Sequence, residues 1–278
     1  MPAPAPRTRQ VQINVDLNGL RRALHVRLSQ TISVASALLR CSEWIDCREA
    51  YLPVEIPFII DQGNLLEIEL LRKHSQEWIL ANAFRDAIEA LTAPLEQAHE
   101  VLRIWKFLEE HGRLVPAKNW LKFSQIGTKQ FHRSGLPEKL DTLARMGLEL
   151  DEILRGHVQS INAARNCLVH RNGIIGASDI NSFSSMKVSW RHLVMSKETA
   201  DGDIKLRPGS TVEKGEIIKL QMIDTFREFP LGEQIVLSAE EIQAALWTLF
   251  LFVENLTAEM NKLGVDMGML KSKVGGCE

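Results

Sequence analysis

The sequence predicts a mainly α-helical chain with a small antiparallel β insertion before the last helix. Three observations predict it. Apolar residues recur at helical spacing through most of the chain up to Arg171. From Phe183 to Val236 the pattern changes to alternation, as in Val188, Trp190, His192 and Val194. Ser238-Ala239-Glu240-Glu241 is then a capping box that opens one more, strongly apolar helix.

Taken in order, residues 1–14 read as a flexible tail, and residues 271–278 as another. Leu17 to about Ala50 is helical: Leu20, Leu24, Leu28, Ile32, Ala35 and Leu39 recur at helical spacing with no proline between them. Tyr51–Asn64 is turn-rich, with Pro53, Pro57 and Gly63. Leu65–His111 is the longest helical region. Pro94 breaks or kinks it, Thr92 is placed to cap a second half, and Gly112 stops it. Pro137 opens a helix to about Met146, and Glu149–Arg171 is a further helix ended by Asn172-Gly173. In the insertion, Asp201-Gly202 and Lys214-Gly215 are turn signals between strands. The last helix runs from Ser238 to about Leu263. The expected division is a helical domain of residues 15–182 plus 238–270, interrupted by an insertion at 183–237.

Composition excludes several classes. Hydrophobic residues are 45% of 278 and charged residues 24%, so the chain is neither low-complexity nor wholly disordered. Four cysteines, with no CxxC pair, fit a reducing compartment and make neither a disulfide framework nor a zinc site. No metal and no cofactor are expected. The longest apolar stretch, Ala244–Val253, is about half a membrane span, so no membrane association is expected. Met1–Pro6 lacks the apolar core of a secretory leader, and a cytoplasmic location follows as an expectation. The net charge of −2 does not announce a nucleic-acid binder, but it averages unlike parts. The first 40 residues hold six arginines against one aspartate.

His111–Pro137 is the clearest local bias. It holds Arg113, Lys118, Lys122, Lys129 and Arg133, with no acid, and interleaves Trp120, Phe123 and Phe131. Cations beside aromatics suit single-stranded nucleic acid, through phosphate contacts and base stacking. The other reading is a surface connector whose aromatics tuck into the core.

The residues that carry chemistry lie at the end of the Glu149–Arg171 helix. They read Ile161-Asn162-Ala163-Ala164-Arg165-Asn166-Cys167-Leu168-Val169-His170-Arg171-Asn172-Gly173. Leu154, Val158, Ile161, Ala164 and Leu168 share one helical face, and Arg165 lies close to it. A guanidinium keeps its proton, so there it needs a carboxylate, a phosphate or water. Asn162 and Asn166 lie at one edge of the face, and His170 comes one turn after Asn166. Donors plus one titratable group, without a carboxylate, suit a phosphate better than a metal. Arg and His at this spacing arise easily by chance; the Asn after the Arg and the glycine-stopped helix end narrow the pattern.

Arg165-Asn166-Cys167-Leu168-Val169-His170 resembles the motif of the HEPN superfamily, an Arg and a polar residue followed by a His on a helix of an all-α bundle. The resemblance covers about 15 residues directly and the helical layout loosely. It implies a HEPN-like helical bundle and a metal-independent endoribonuclease, as in toxin–antitoxin and phage-defence systems. It implies a homodimer whose two motif copies form a composite cleft, with RNA as substrate and a neutralising or regulatory protein as a further partner. Arg165, Asn166 and His170 would be catalytic, with Lys118, Trp120, Lys122, Lys129, Arg133, Asn162 and Arg171 contacting RNA. Some members carry a Tyr two residues after the motif His; here that residue is Asn172, so control by modification at that position is not expected. The alternatives are a catalytically silent relative that binds a nucleotide or RNA, and a helical interaction protein. In a purely structural account Arg165 pairs with an acid such as Glu67, Glu69 or Asp86, and His170 caps the helix. The remaining histidines, His25, His74, His99, His111, His132, His157 and His192, read as surface or internally satisfied residues.

Overall fold

The computed structural model describes residues 15–44, 68–112, 115–125, 128–199, 202–206 and 210–271. Both expected tails, the end of the first predicted helix and the turn-rich stretch Tyr51–Asn64 lie outside the described residues.

Helix α1 spans Leu17–Ser42. Asp16 caps it, its carboxylate accepting from the Gly19 N–H at 3.1 Å. Leu17, Leu20, Leu24 and Leu28 are its buried stripe. Helix α2 spans Ile68–Ala90 and α3 spans Thr92–His111. Leu91 between them keeps helical angles (φ −67°, ψ −22°), so the chain passes from one helix to the next with a break of one residue. The cause is Pro94, which has no N–H to give and crowds the carbonyl one turn back. The expected Thr92 cap is absent: Leu91 stands at that position and no side chain caps α3. Gly112 closes α3 at φ 75°.

The basic segment is not a bare connector. It folds into two short helices, α4 (Ala117–Gln125) and α5 (Lys129–Arg133). Helix α6 (Leu136–Arg145) follows, then α7 (Glu152–Arg171), capped by Asp151, which accepts from the N–H groups of Ile153 and Leu154. Asn172 takes the left-handed cap position itself (φ 51°), and Gly173 continues in it (φ 77°). A Cβ on Gly173 would sit 3.1 Å from Leu168, so both backbone sign and space call for glycine.

The insertion is a sheet of three antiparallel strands in the order β2-β1-β3: β1 Ser185–Thr199, β2 Gly202–Lys205 and β3 Ile218–Pro230. The pairing register runs from Ser185 opposite Pro230 to Lys197 opposite Ile218. After β3 the chain is irregular apart from a single bridge, Ile174 with Gln234, so the strands end short of the expected Val236.

Helix α8 spans Ala239–Asp266. Its capping box forms as the sequence predicts: Ser238 Oγ accepts from the Glu241 N–H at 3.2 Å, and Glu241 accepts from the Ser238 N–H at 2.7 Å. Helix α8 packs against α1, α2, α7 and β1. Leu249, Phe252, Val253, Leu256 and Met260 are fully buried there.

Strand β1 has β3 on one edge, whereas β2 reaches only its last residues. Over Lys187, Ser189 and Arg191 that second edge is satisfied by side chains. Asn181 pairs with the backbone of Lys187, donating to its carbonyl and accepting from its N–H. The Ser160 hydroxyl of α7 does the same for Ser189, and the Thr248 hydroxyl of α8 accepts from Arg191 N–H at 2.8 Å. Three polar side chains thus stand in for a missing strand, because buried backbone groups need partners. Leu193, Met195, Leu220 and Met222, farther out on the hairpin, are exposed on one sheet face.

A charged seam fixes the hairpin to α7. His157 is buried, with Nδ1 2.8 Å from Ser189 Oγ and Nε2 3.0 Å from the Asp224 carboxylate. Arg191 grips the same carboxylate with two donors, at 2.6 and 2.9 Å. These bonds, the guanidinium's first, hold Asp224 down at about 2. An aspartate in the unfolded chain titrates near about 3.9, so the unfolded state takes up protons first as acid is added. The stabilisation from Asp224 is therefore complete above about pH 5 and fades as pH falls toward 2. Asp224→Asn is expected to lower the thermal midpoint modestly at pH 7 and to flatten its decline between about pH 5 and 2, by calorimetry across pH. Parallel declines would remove Asp224 from the acid sensitivity.

Candidate active site

Helix α7 presents a buried face of Leu154, His157, Val158, Ile161, Ala164 and Cys167 to the core. Cys167 is its last member, its thiol pushed up by burial and donating to the Ile174 carbonyl at 3.3 Å. Arg165 and Asn166 are half-buried, whereas His170 is exposed.

Arg165 reaches across to α2. One terminal nitrogen lies 2.5 Å from Glu89 Oε1, and the other donates to Asn166 Oδ1 at 3.1 Å. Its Nε is buried without an acceptor, so the guanidinium is not saturated. The acid partner foreseen in the structural account is thus neither Glu69 nor Asp86. Asp86 lies beside Arg85 at 3.5 Å, and Glu67 is outside the described residues. The side chain of Glu89 is 53% exposed, which makes this a surface pair of modest strength.

His170 does not cap α7. The helix is closed by the Gly173 N–H bonding to the Cys167 carbonyl at 3.1 Å, and no described residue hydrogen-bonds the imidazole. By helical rotation His170 lies above Asn166 and about 140° round the helix from Arg165. One chain therefore presents the motif as an open surface, with Arg165 and Asn166 joined and the imidazole free beside them.

The other sequence candidates divide. Arg171 is bound to Asp179, whose side chain is only 5% exposed. Asp179 also accepts from the Gly176 N–H at 2.9 Å, and so pins the turn after α7. Arg171 thus belongs to the scaffold, and its guanidinium is held charged by that carboxylate. Asn162 is half-buried one turn before Asn166. Lys118, Lys122, Lys129 and Arg133 are exposed. The aromatics of their segment turn inward. Phe123 and Phe131 are buried, Phe123 against Phe107 and Phe131 stacked on His99 at 3.9 Å. Trp120 is half-buried against Phe107 and Phe123, which leaves it a partial face for stacking. Helices α4 and α5 are thus fastened to α3. No hydrogen bond or ion pair among the described residues joins them to the motif.

Sequence reasoning missed Glu89. The signal was present: Trp78, Asn82, Arg85 and Glu89 repeat every three or four residues along α2, a polar stripe opposite its buried one. It also passed over the Ser189–His157–Asp224 chain, whose members lie far apart in sequence. They are ordered as nucleophile, base and acid would be, with the base buried between α7 and the sheet and the acid also gripped by Arg191. Among the described residues no group of three or more His, Cys, Asp or Glu is placed to hold a metal ion, and no helix is long and apolar enough to cross a membrane. Comparison with protein-family models, with curated proteins and with solved structures finds no match to this chain.

The two motif arginines make a test of scaffold against site. Arg171→Met strands the buried Asp179 carboxylate and is expected to cost on the order of 2 kcal/mol or more in urea unfolding. Arg165→Met, facing a half-exposed acid, is expected to cost less than about 1 kcal/mol. Equal losses would make Arg165 a structural residue.

Proposed function

We propose that this protein is a metal-independent endoribonuclease of HEPN type, active as a homodimer. The single observation that carries the reading is the contrast within α7. Arg171 is fixed by a buried acid, whereas Arg165 is joined only to Asn166 and to a carboxylate in water, with an unengaged His170 one turn on. A phosphate can displace Glu89 at little cost, because its two oxygens match the guanidinium fork better than one carboxylate oxygen does.

In the proposed reaction the ribose 2′-oxygen attacks the adjacent phosphorus and passes its proton to a base. The bond from phosphorus to the 5′-oxygen breaks, and that oxygen takes a proton from an acid. The products are a 2′,3′-cyclic phosphate and a 5′-hydroxyl, with no change of oxidation state. His170 performs one proton transfer, since an imidazole exchanges protons near neutral pH. Two copies of the motif facing one another would supply one imidazole for each transfer. Arg165 neutralises charge growing on the phosphoryl oxygens, and Asn166 positions Arg165. Lys118, Lys122, Lys129 and Arg133 would draw the RNA backbone from the α4–α5 side.

A catalytically silent, RNA- or nucleotide-binding relative is the second reading. The observation in its favour is the Arg165–Glu89 pair itself, which occupies the guanidinium in the resting chain.

The test is cleavage of labelled RNA in EDTA. His170→Ala is expected to slow cleavage by about 10²–10⁴-fold, and Arg165→Ala/His170→Ala to abolish it. Equal cleavage by wild type and double variant would overturn the nuclease reading. Charge reversal at Lys118, Lys122 and Lys129 is expected to weaken RNA binding and flatten its dependence on salt. Unchanged affinity in titrations from low to high salt would leave α4 and α5 as scaffold.

A further inference from the structure

On its outward side α2 carries Trp78, Asn82, Arg85 and Glu89 at positions i, i+4, i+7 and i+11, so the four lie on one stripe. The stripe ends at Arg165, through Glu89. Trp78, at its other end, is 65% exposed. An exposed indole presents a flat π-face and an N–H donor to whatever fills the space beside it.

Two concavities flank the stripe. One, of about 690 Å³, lies between α1 and α2 and takes in Thr31 and Val34. The other, of about 530 Å³, lies between α2 and the end of α7 and takes in Val169, Asn172 and Gln234. Trp78, Asn82 and Arg85 line both. The indole is therefore a divider with space on either side, which is the shape a stacking platform needs. The second concavity meets α7 at Leu168, Val169 and Asn172, whereas the first runs along α2 from Trp78 to Glu89, the partner of Arg165. Along the helix the distance from Trp78 to Glu89 is about 16 Å, a reach of a few nucleotides.

The charges along the stripe decide how a ligand is held. Asp86 lies beside Arg85, Glu89 beside Arg165, and Glu77 beside Lys73 and His74. The stripe is close to neutral. It offers one aromatic face, an Asn82 amide whose Nδ2 already donates to the Trp78 carbonyl at 2.7 Å and whose oxygen can accept, and a guanidinium loosely paired with Asp86, and it lacks a field that would gather polyanions. A ligand recognised here is recognised by a flat π-face, with a phosphate beside it on Arg85.

We propose that Trp78 is a base-stacking subsite for single-stranded RNA, seating an unpaired nucleobase a few nucleotides from the phosphate at Arg165. Asn82 meets the edge of that base, and Arg85 the phosphate that follows. This subsite rests on the nuclease reading for the identity of its ligand. It adds that the substrate is unpaired near the cut, because a duplex hides its base faces from an indole.

The experiment measures binding apart from cleavage. A short fluorescent 2′-O-methyl oligoribonucleotide lacks the attacking hydroxyl and cannot be cut, so its anisotropy reports affinity alone. Trp78→Ala is expected to weaken binding about tenfold, in line with the loss of one stacked base. Trp78→Phe is expected to restore most of it, and the slope of affinity against salt to stay as in wild type. Thermal midpoints should stay close to wild type, since the side chain is mostly outside the core. A hairpin of the same sequence is expected to bind more weakly than the open strand. Unchanged affinity in Trp78→Ala, or no binding of single-stranded RNA by wild type, would overturn the subsite; in the second case a protein surface becomes the occupant of choice. Cleavage by wild type with no effect of Trp78→Ala would leave the nuclease reading standing alone. Trp78-dependent binding without cleavage would leave the subsite standing and remove the nuclease.

Discussion

The arrangement of this protein follows from one helix that cannot face water. Residues Ala244–Val253 of α8 are almost all apolar, and Thr248, the one polar residue among them without a ring, is buried too. A helix with apolar residues on more than one side must be covered on more than one side. Helices α1 and α2 cover part of it, α7 another part, and β1 the remainder. The sheet insertion is therefore a wall of the core rather than a separate domain. Met186, Val188 and Trp190 of β1 belong to the same buried cluster as Phe252 and Leu256.

A strand used as a wall brings a difficulty of its own. Its backbone groups must be satisfied along both edges, and only one edge of β1 has a full partner. Ser160 and Thr248 resolve this from the helices, and Asn181 from the preceding loop. Each hydroxyl sits where helix and strand touch, so the hydrogen bonds and the apolar packing specify one and the same docking position. The Arg191–Asp224–His157 chain adds direction, because a bidentate guanidinium tolerates little rotation. These contacts hold α7 against the sheet, and α7 carries the motif.

Much of this was legible from residue order, and what was illegible has a common cause. Caps and stops act within one turn, so the Ser238–Glu241 box, Pro94 and Gly112 can be read directly, whereas the Asp151 cap was passed over and α7 begins at Glu152 rather than Glu149. Asn172 was half legible: the stop was foreseen, but Asn itself enters the left-handed region that glycine was expected to supply. The basic segment shows why composition is an incomplete guide. Its lysines are exposed as expected, but Phe123 and Phe131 turn inward onto Phe107 and His99, since a neighbouring aromatic surface outcompetes water for them. The partners of Arg165 and Arg171 were illegible because they depend on which helices meet. Glu89 lies 76 positions from Arg165 and announces itself only as part of a stripe on α2.

That stripe also bears on how two arginines of α7 come to differ. Arg171 points to the turn after α7, where Asp179 is enclosed and a fixed ion pair is the only stable outcome. Arg165 points across to α2, where Glu89 lies half-exposed at a helix surface and water competes for its carboxylate. The first pair defines a shape, and the second is weak enough to be exchanged. An exchangeable carboxylate keeps a guanidinium oriented and soluble until an anion arrives, and then yields to it. Removing Glu89 altogether would leave Arg165 without a guide; burying Glu89 would lock it. A half-exposed acid on a neighbouring helix avoids both outcomes, and this intermediate exposure, more than the spacing of Arg and His, marks the end of α7 as the candidate site.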